Sequence, residues 1–113
     1  MGTSLRVLKS FLESLPCVRE ESRGHTKYAL KVNGRVVAWT NYSRSWRDST
    51  QIDDSTVSKM GREMRCSNSV LWRKLLARQE PIDAYFRDLL EHSHISREEY
   101  DTLCEKGRPT KRK

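Results

Sequence analysis

Leu5, Leu8, Phe11, Leu12 and Leu15 recur at three- and four-residue spacing. They fall on one face of a helix that Thr3 or Ser4 caps and Pro16 stops. Cys17 to Ser22 alternates weakly and reads as a short strand. Residues 26–32 and 35–42 are rich in strand formers and flank Asn33-Gly34, a pair suited to the positive φ angles of a type I′ hairpin. With those two residues as the loop, an unbroken ladder pairs Val32 with Arg35, Leu30 with Val37, Tyr28 with Trp39 and Thr26 with Asn41 on a largely apolar face. Tyr28 and Trp39 are therefore expected in the core. The opposite face presents His25 beside Tyr42, Lys27 beside Thr40, Ala29 beside Ala38 and Lys31 beside Val36.

Beyond a polar loop at 41–51, a second helix starts from Asp53 as its cap, with Val57, Met60 and Met64 as its inner stripe and Gly61 as a weak point. A third follows Ser67 or Ser69, with Leu71, Trp72, Leu75 and Leu76. A fourth opens at Pro81, with Ile82, Tyr85, Phe86, Leu89 and Leu90 inward. The last has a capping box, Ser96 with Glu99, a staple between Ile95 and Tyr100, inward Leu103 and Cys104, and Gly107 at its end. The order predicts an α+β fold: an α-β-β-β-α unit with a three-stranded antiparallel sheet over residues 1–66, a helical extension over 67–106 packed on it, and a basic tail over 107–113.

The 113 residues suit one small domain with an appendage, and they carry a formal charge of +7. The charge is segmented. Residues 1–50 hold 9 basic and 4 acidic side chains, 51–80 hold 6 and 4, 81–105 invert to 2 and 7, and the last eight hold five bases and no acid. A basic body makes a polyanion the first partner to consider. The acidic 81–105 segment is read as the solvated face of a helix pair, with competition against nucleic acid or partner docking as alternatives. Apolar runs are short and no leader pattern opens the chain, so a cytoplasmic protein without a membrane partner is expected. Cys17, Cys66 and Cys104 are odd in number and widely spaced, which reads as reduced thiols. His92, His94, Cys66 and Cys104 match no common zinc spacing. No metal and no cofactor is expected, and the oligomeric state is left open.

The candidate chemistry centres on His25, on the strand face shared with Lys27 and Lys31. An imidazole titrates near neutrality and can take a proton from a ribose 2′-hydroxyl or give one to a leaving oxygen without a metal. A neighbouring lysine or arginine can stabilise the charge that builds on the phosphate. The alternative is a surface histidine on a basic strand. Arg23, Arg44 and Arg47 add phosphate-binding candidates. Trp46 either stacks on a splayed base or anchors its loop. In the tail, Gly107-Arg108-Pro109 with Lys111 and Arg112 is similar to an AT-hook that lays arginine in a narrow minor groove, so DNA is a second target. A solvated basic tail with non-specific affinity is the alternative.

Arg23-Gly24-His25-Thr26-Lys27-Tyr28, followed by a hairpin and then an apolar-rich helix ending near Cys66-Ser67, resembles the HicA toxins of HicA–HicB toxin–antitoxin pairs. The resemblance covers about residues 5–66. It implies a fold like that of double-stranded-RNA-binding domains, an mRNA interferase activity, His25 as the catalytic histidine and an antitoxin-like partner. The serine that accompanies the family glycine is absent, the loop before the second helix is longer, and residues 67–113 have no counterpart. Two further readings stand beside the metal-independent endoribonuclease. One is a non-catalytic nucleic-acid-binding or inhibitor protein of phage or mobile-element origin; the other is a protein-interaction module.

Overall fold

A computed structural model describes residues 3–107. Along the chain run β1 (Thr3–Ser4), α1 (Leu5–Glu13), β2 (Cys17–Ser22), β3 (His25–Val32), β4 (Arg35–Ser43), β5 (Gln51–Ile52), α2 (Asp54–Glu63), α3 (Ser69–Leu76), α4 (Ile82–Glu91) and α5 (Arg97–Gly107). Strands β2, β3 and β4 form an antiparallel sheet in that order, so β3 is central. The short β1 and β5 make a separate ribbon with Thr3 opposite Ile52, which the hydrophobic pattern does not signal. The fold is α+β, an α-β-β-β-α unit continued by further helices.

Local chemistry explains most boundaries. Ser4 caps α1 through Val7 N, Asp53 caps α2 through Thr56 N, and Asn68, rather than Ser67 or Ser69, caps α3 through Leu71 N. Pro81 sits at the cap position of α4 with no side-chain bond to give. The Ser96–Glu99 box closes in both directions, with Glu99 Oε1 accepting from Ser96 N at 2.8 Å and Ser96 Oγ from Glu99 N at 3.1 Å. Helices α2, α3 and α4 each end on a non-glycine residue in the left-handed region, Arg65, Arg78 and Ser93. At each end two reversed backbone bonds take up the last carbonyls, such as Cys66 N to Gly61 O and Arg65 N to Arg62 O.

One continuous core runs from Leu5 to Leu103. Phe11 of α1 meets the edges of Trp72 and Tyr85 with centroids 5.5 and 5.9 Å away, and the Tyr85 hydroxyl donates to Met64 O at 2.8 Å. Gly61 allows α2 to lie directly on the Trp72 indole: a Cβ there would stand 2.7 Å from ring atoms. Buried Asp88 accepts from Ser67 N and Oγ, at 2.8 and 2.5 Å, and so ties the α2–α3 turn to α4. Arg78 donates to the backbone and hydroxyl oxygens of Ser10, and Arg35 forks onto both oxygens of Glu99 at 2.9 and 2.7 Å.

The hairpin turns at Asn33-Gly34 with positive φ at both residues, but its ladder is broken. Val32 opposes Arg35 and Lys31 opposes Val36; then Leu30 opposes Ala38, leaving Val37 as the extra residue of a β-bulge. The register beyond it is displaced by one, so Tyr28 faces Thr40, Ala29 faces Trp39 and Thr26 faces Tyr42. This corrects the unbroken ladder expected above. Trp39 does not lie in the core; it stands 44% exposed on the open face, whereas Tyr28 is buried as expected. A straight ladder would have driven Asn41 and Ser43 inward. Val37 stays buried, and the bulge turns Ala38, Thr40 and Tyr42 inward instead, with the Thr40 hydroxyl donating to Glu63 at 2.6 Å and Tyr42 stacked between Tyr28 and Trp46.

Candidate nucleic-acid interface

The inward face of the sheet packs Thr26, Tyr28, Leu30 and Val32 of β3 into the core. Strand alternation then places His25, Lys27, Ala29 and Lys31 together on the opposite face. Cross-strand pairing completes rows on it: Ser22, His25 and Ser43; Glu20, Lys27 and Asn41; Val18, Ala29 and Trp39; and Lys31 with Val36. His25 is exposed, and among the described residues nothing hydrogen-bonds its ring. Lys27 does not turn toward His25. Its Nζ lies 4.7 Å from the centroid of the Trp39 ring, a cation–π contact that spans two rows.

Trp39 also borders an open cleft of about 380 Å³, whose other walls are Lys59, Arg62, Glu63 and Arg65. The Glu63 carboxylate is occupied by the Thr40 hydroxyl and by Lys59 at 4.0 Å. Arg62 and Arg65 have no carboxylate partner among the described residues. Arg65 takes its left-handed backbone, φ 62°, where glycine would be cheapest, by about 1 kcal/mol. An exposed indole thus sits among four cations, from β3, from α2 and from the turn that follows α2. Against them stand Glu20, opposite Lys27 in the register, and Glu63.

The other sequence candidates separate. Arg23 is exposed in the β2–β3 turn, where Gly24 supplies a φ of 84°. Arg44 lies at the same end, its backbone bonded to Gly24 O and its guanidinium paired with Glu21 at 3.2 Å. Arg47 is exposed, but its loop is pinned to α1: Leu5 N and Arg6 N donate to Thr50 O and Asp48 O, and Lys9 pairs with Asp48 at 2.7 Å. Trp46 is half-buried and stacked on inward-facing Tyr42, centroids 6.0 Å apart and planes within 5°, which makes it the anchor of that loop. It is therefore on the helical side of the sheet, away from His25. Arg108, Lys111 and Arg112 lie outside the described residues.

Sequence reasoning missed Trp39, Lys59, Arg62 and Arg65. The available signal was the conflict that a straight ladder creates by turning polar Asn41 and Ser43 inward. Burial pushes the thiol of Cys17 up to about 12 and that of Cys66 to about 11, and among the described residues no disulfide joins Cys17, Cys66 or Cys104. Among the described residues no group of three or more His, Cys, Asp or Glu side chains is placed to hold a metal ion, and no helix is long and apolar enough to cross a membrane. Comparison of the chain with protein-family models, with curated proteins and with solved structures finds no match.

Proposed function

We propose that the chain is a HicA-like RNA-binding protein that uses the open face of its sheet, with His25 as the acid–base group of a metal-independent endoribonuclease. The observation that carries this reading is the exposed, unheld His25 ring on the central strand, in line with Lys27 and Lys31 and on the face opposite core-packed Tyr28, Leu30 and Val32. In the reaction, His25 takes the proton of a ribose 2′-hydroxyl. The 2′-oxygen bonds to the adjacent phosphorus, the bond from phosphorus to the 5′-oxygen breaks, and that oxygen is protonated by solvent or by the imidazolium. The products are a 2′,3′-cyclic phosphate and a 5′-hydroxyl. Lys27 and Lys31 supply the positive field in which the phosphate gains charge.

His25→Ala is expected to keep RNA affinity within a few-fold while cleavage falls at least about 100-fold, read from end-labelled RNA and its cyclic-phosphate termini. Unchanged cleavage in this variant removes His25 from the chemistry. A second reading, RNA binding without cleavage, is favoured by two contacts: Lys27 leans over Trp39 and Arg44 is paired with Glu21, so neither is committed to His25. It predicts binding of the same RNA with no cyclic-phosphate product from the unaltered protein. An antitoxin-like protein partner and DNA binding through the basic tail belong to the proposal as its wider expectations. Nucleic-acid affinity that stays undetectable at low salt would leave a protein-interaction role.

A further inference from the structure

Trp39 is costly where it stands. The β-bulge that buries Tyr42 leaves this large aromatic side chain 44% exposed, while the equally large Trp72 is fully buried. Single exposed apolar residues are ordinary, but this one is flanked by Lys27 over its ring and by Lys59, Arg62 and Arg65 across a cleft of about 380 Å³. An aromatic face beside cations is the chemistry that holds unpaired nucleotides: the ring stacks on a base while the cations take the flanking phosphates. Exposed Val18 and buried Ala29 continue an apolar cross-strand row beside it on the same face of the sheet.

We infer that the cleft between Trp39 and α2 is a stacking subsite for an unpaired base of single-stranded RNA. This rests on the reading of the open sheet as an RNA-binding face. It adds the form of the substrate. A base held in a duplex cannot offer its π-face to the indole, so the subsite selects a strand that is open at this position. Stacking tolerates every base, so it sets no sequence preference. Along β3, His25 is four residues from Ala29, the cross-strand neighbour of Trp39, or about 13 Å. One strand of RNA can therefore lie on the stacking cleft and pass the His25 row, with Lys27 between them.

The test uses the full chain at low salt with an unstructured pyrimidine-rich RNA oligonucleotide and with the same sequence as a duplex. Trp39→Ala is expected to weaken single-strand binding by about 5- to 100-fold. Trp39→Phe should retain most of the affinity while abolishing the quenching of indole fluorescence that RNA causes in the unaltered protein. Arg62→Ala should lower the slope of log affinity against log salt by about 0.7. Duplex binding should not respond to Trp39. Circular dichroism confirms that each variant is folded.

Single-strand binding that is equal in Trp39→Ala, with quenching that persists in Trp39→Phe, overturns the subsite and leaves RNA binding at the His25 row intact. No binding of either RNA by the unaltered protein overturns both readings. A dimer that Trp39→Ala dissolves, without RNA affinity, assigns the patch to a second copy of the chain and likewise overturns the proposal.

Discussion

Glu99 shows how one residue joins two parts of the chain. Its carboxylate closes the α5 capping box and receives the Arg35 fork from the hairpin, which holds it down at about 2 from an ordinary 4.5. Because the folded value is depressed, the stabilisation is complete above about 4.5 and is lost as pH falls through about 2. Glu99→Gln should therefore cost about 1 kcal/mol at neutral pH and flatten the pH dependence of stability across that window, as read by urea titration at a series of pH values. The capping half of this role was legible, since Ser96 and Glu99 have the right spacing. The Arg35 half was not, because a contact spanning 64 residues leaves no local pattern.

Elements formed where chemistry is short-range. Caps at Ser4 and Asp53, the box at Ser96 and the turn at Asn33-Gly34 are all local decisions, and each appears where the residues direct it. Strand β4 is different, because its register was settled by what its side chains meet. Thr40 finds Glu63 and Tyr42 finds Tyr28 and Trp46 only if a residue is bulged out, and the period-two rule cannot know this. Gly61 carries the same lesson in α2. Helix propensity favours alanine there, yet a methyl group would collide with the Trp72 indole at 2.7 Å. Gly61→Ala is expected to destabilise by about 1–3 kcal/mol, seen as a lower urea midpoint; a gain in stability would mean that propensity outweighs the collision.

At the scale of the whole molecule, the helices beyond residue 66 share the core of the α-β-β-β-α unit. Trp72 and Tyr85 sit against Phe11, and the Tyr85 hydroxyl donates to Met64 O across that boundary. A chain cut after Cys66 would expose this surface, and it is expected to lose its cooperative urea transition, whereas the full chain is expected to unfold in one step. A sharp transition in the short fragment would show that residues 1–66 fold alone. The same packing decides where charge acts. The acidic 81–105 segment spends Glu99 on Arg35 and Asp88 on Ser67, so part of its negative charge is structural.

By itself the sequence determined the α+β class, the order of the helices and of the three main strands, the caps of α1, α2 and α5, the hairpin turn and the outward placement of His25, because periodicity and capping are set by neighbours within one or two turns. Only the tertiary structure decided the register of β4, the stacking of Trp46 on Tyr42 and the gathering of Trp39 with Lys27, Lys59, Arg62 and Arg65. Those outcomes depend on which distant surfaces compete to bury Tyr42 and Thr40, a comparison of packing energies that no local window contains.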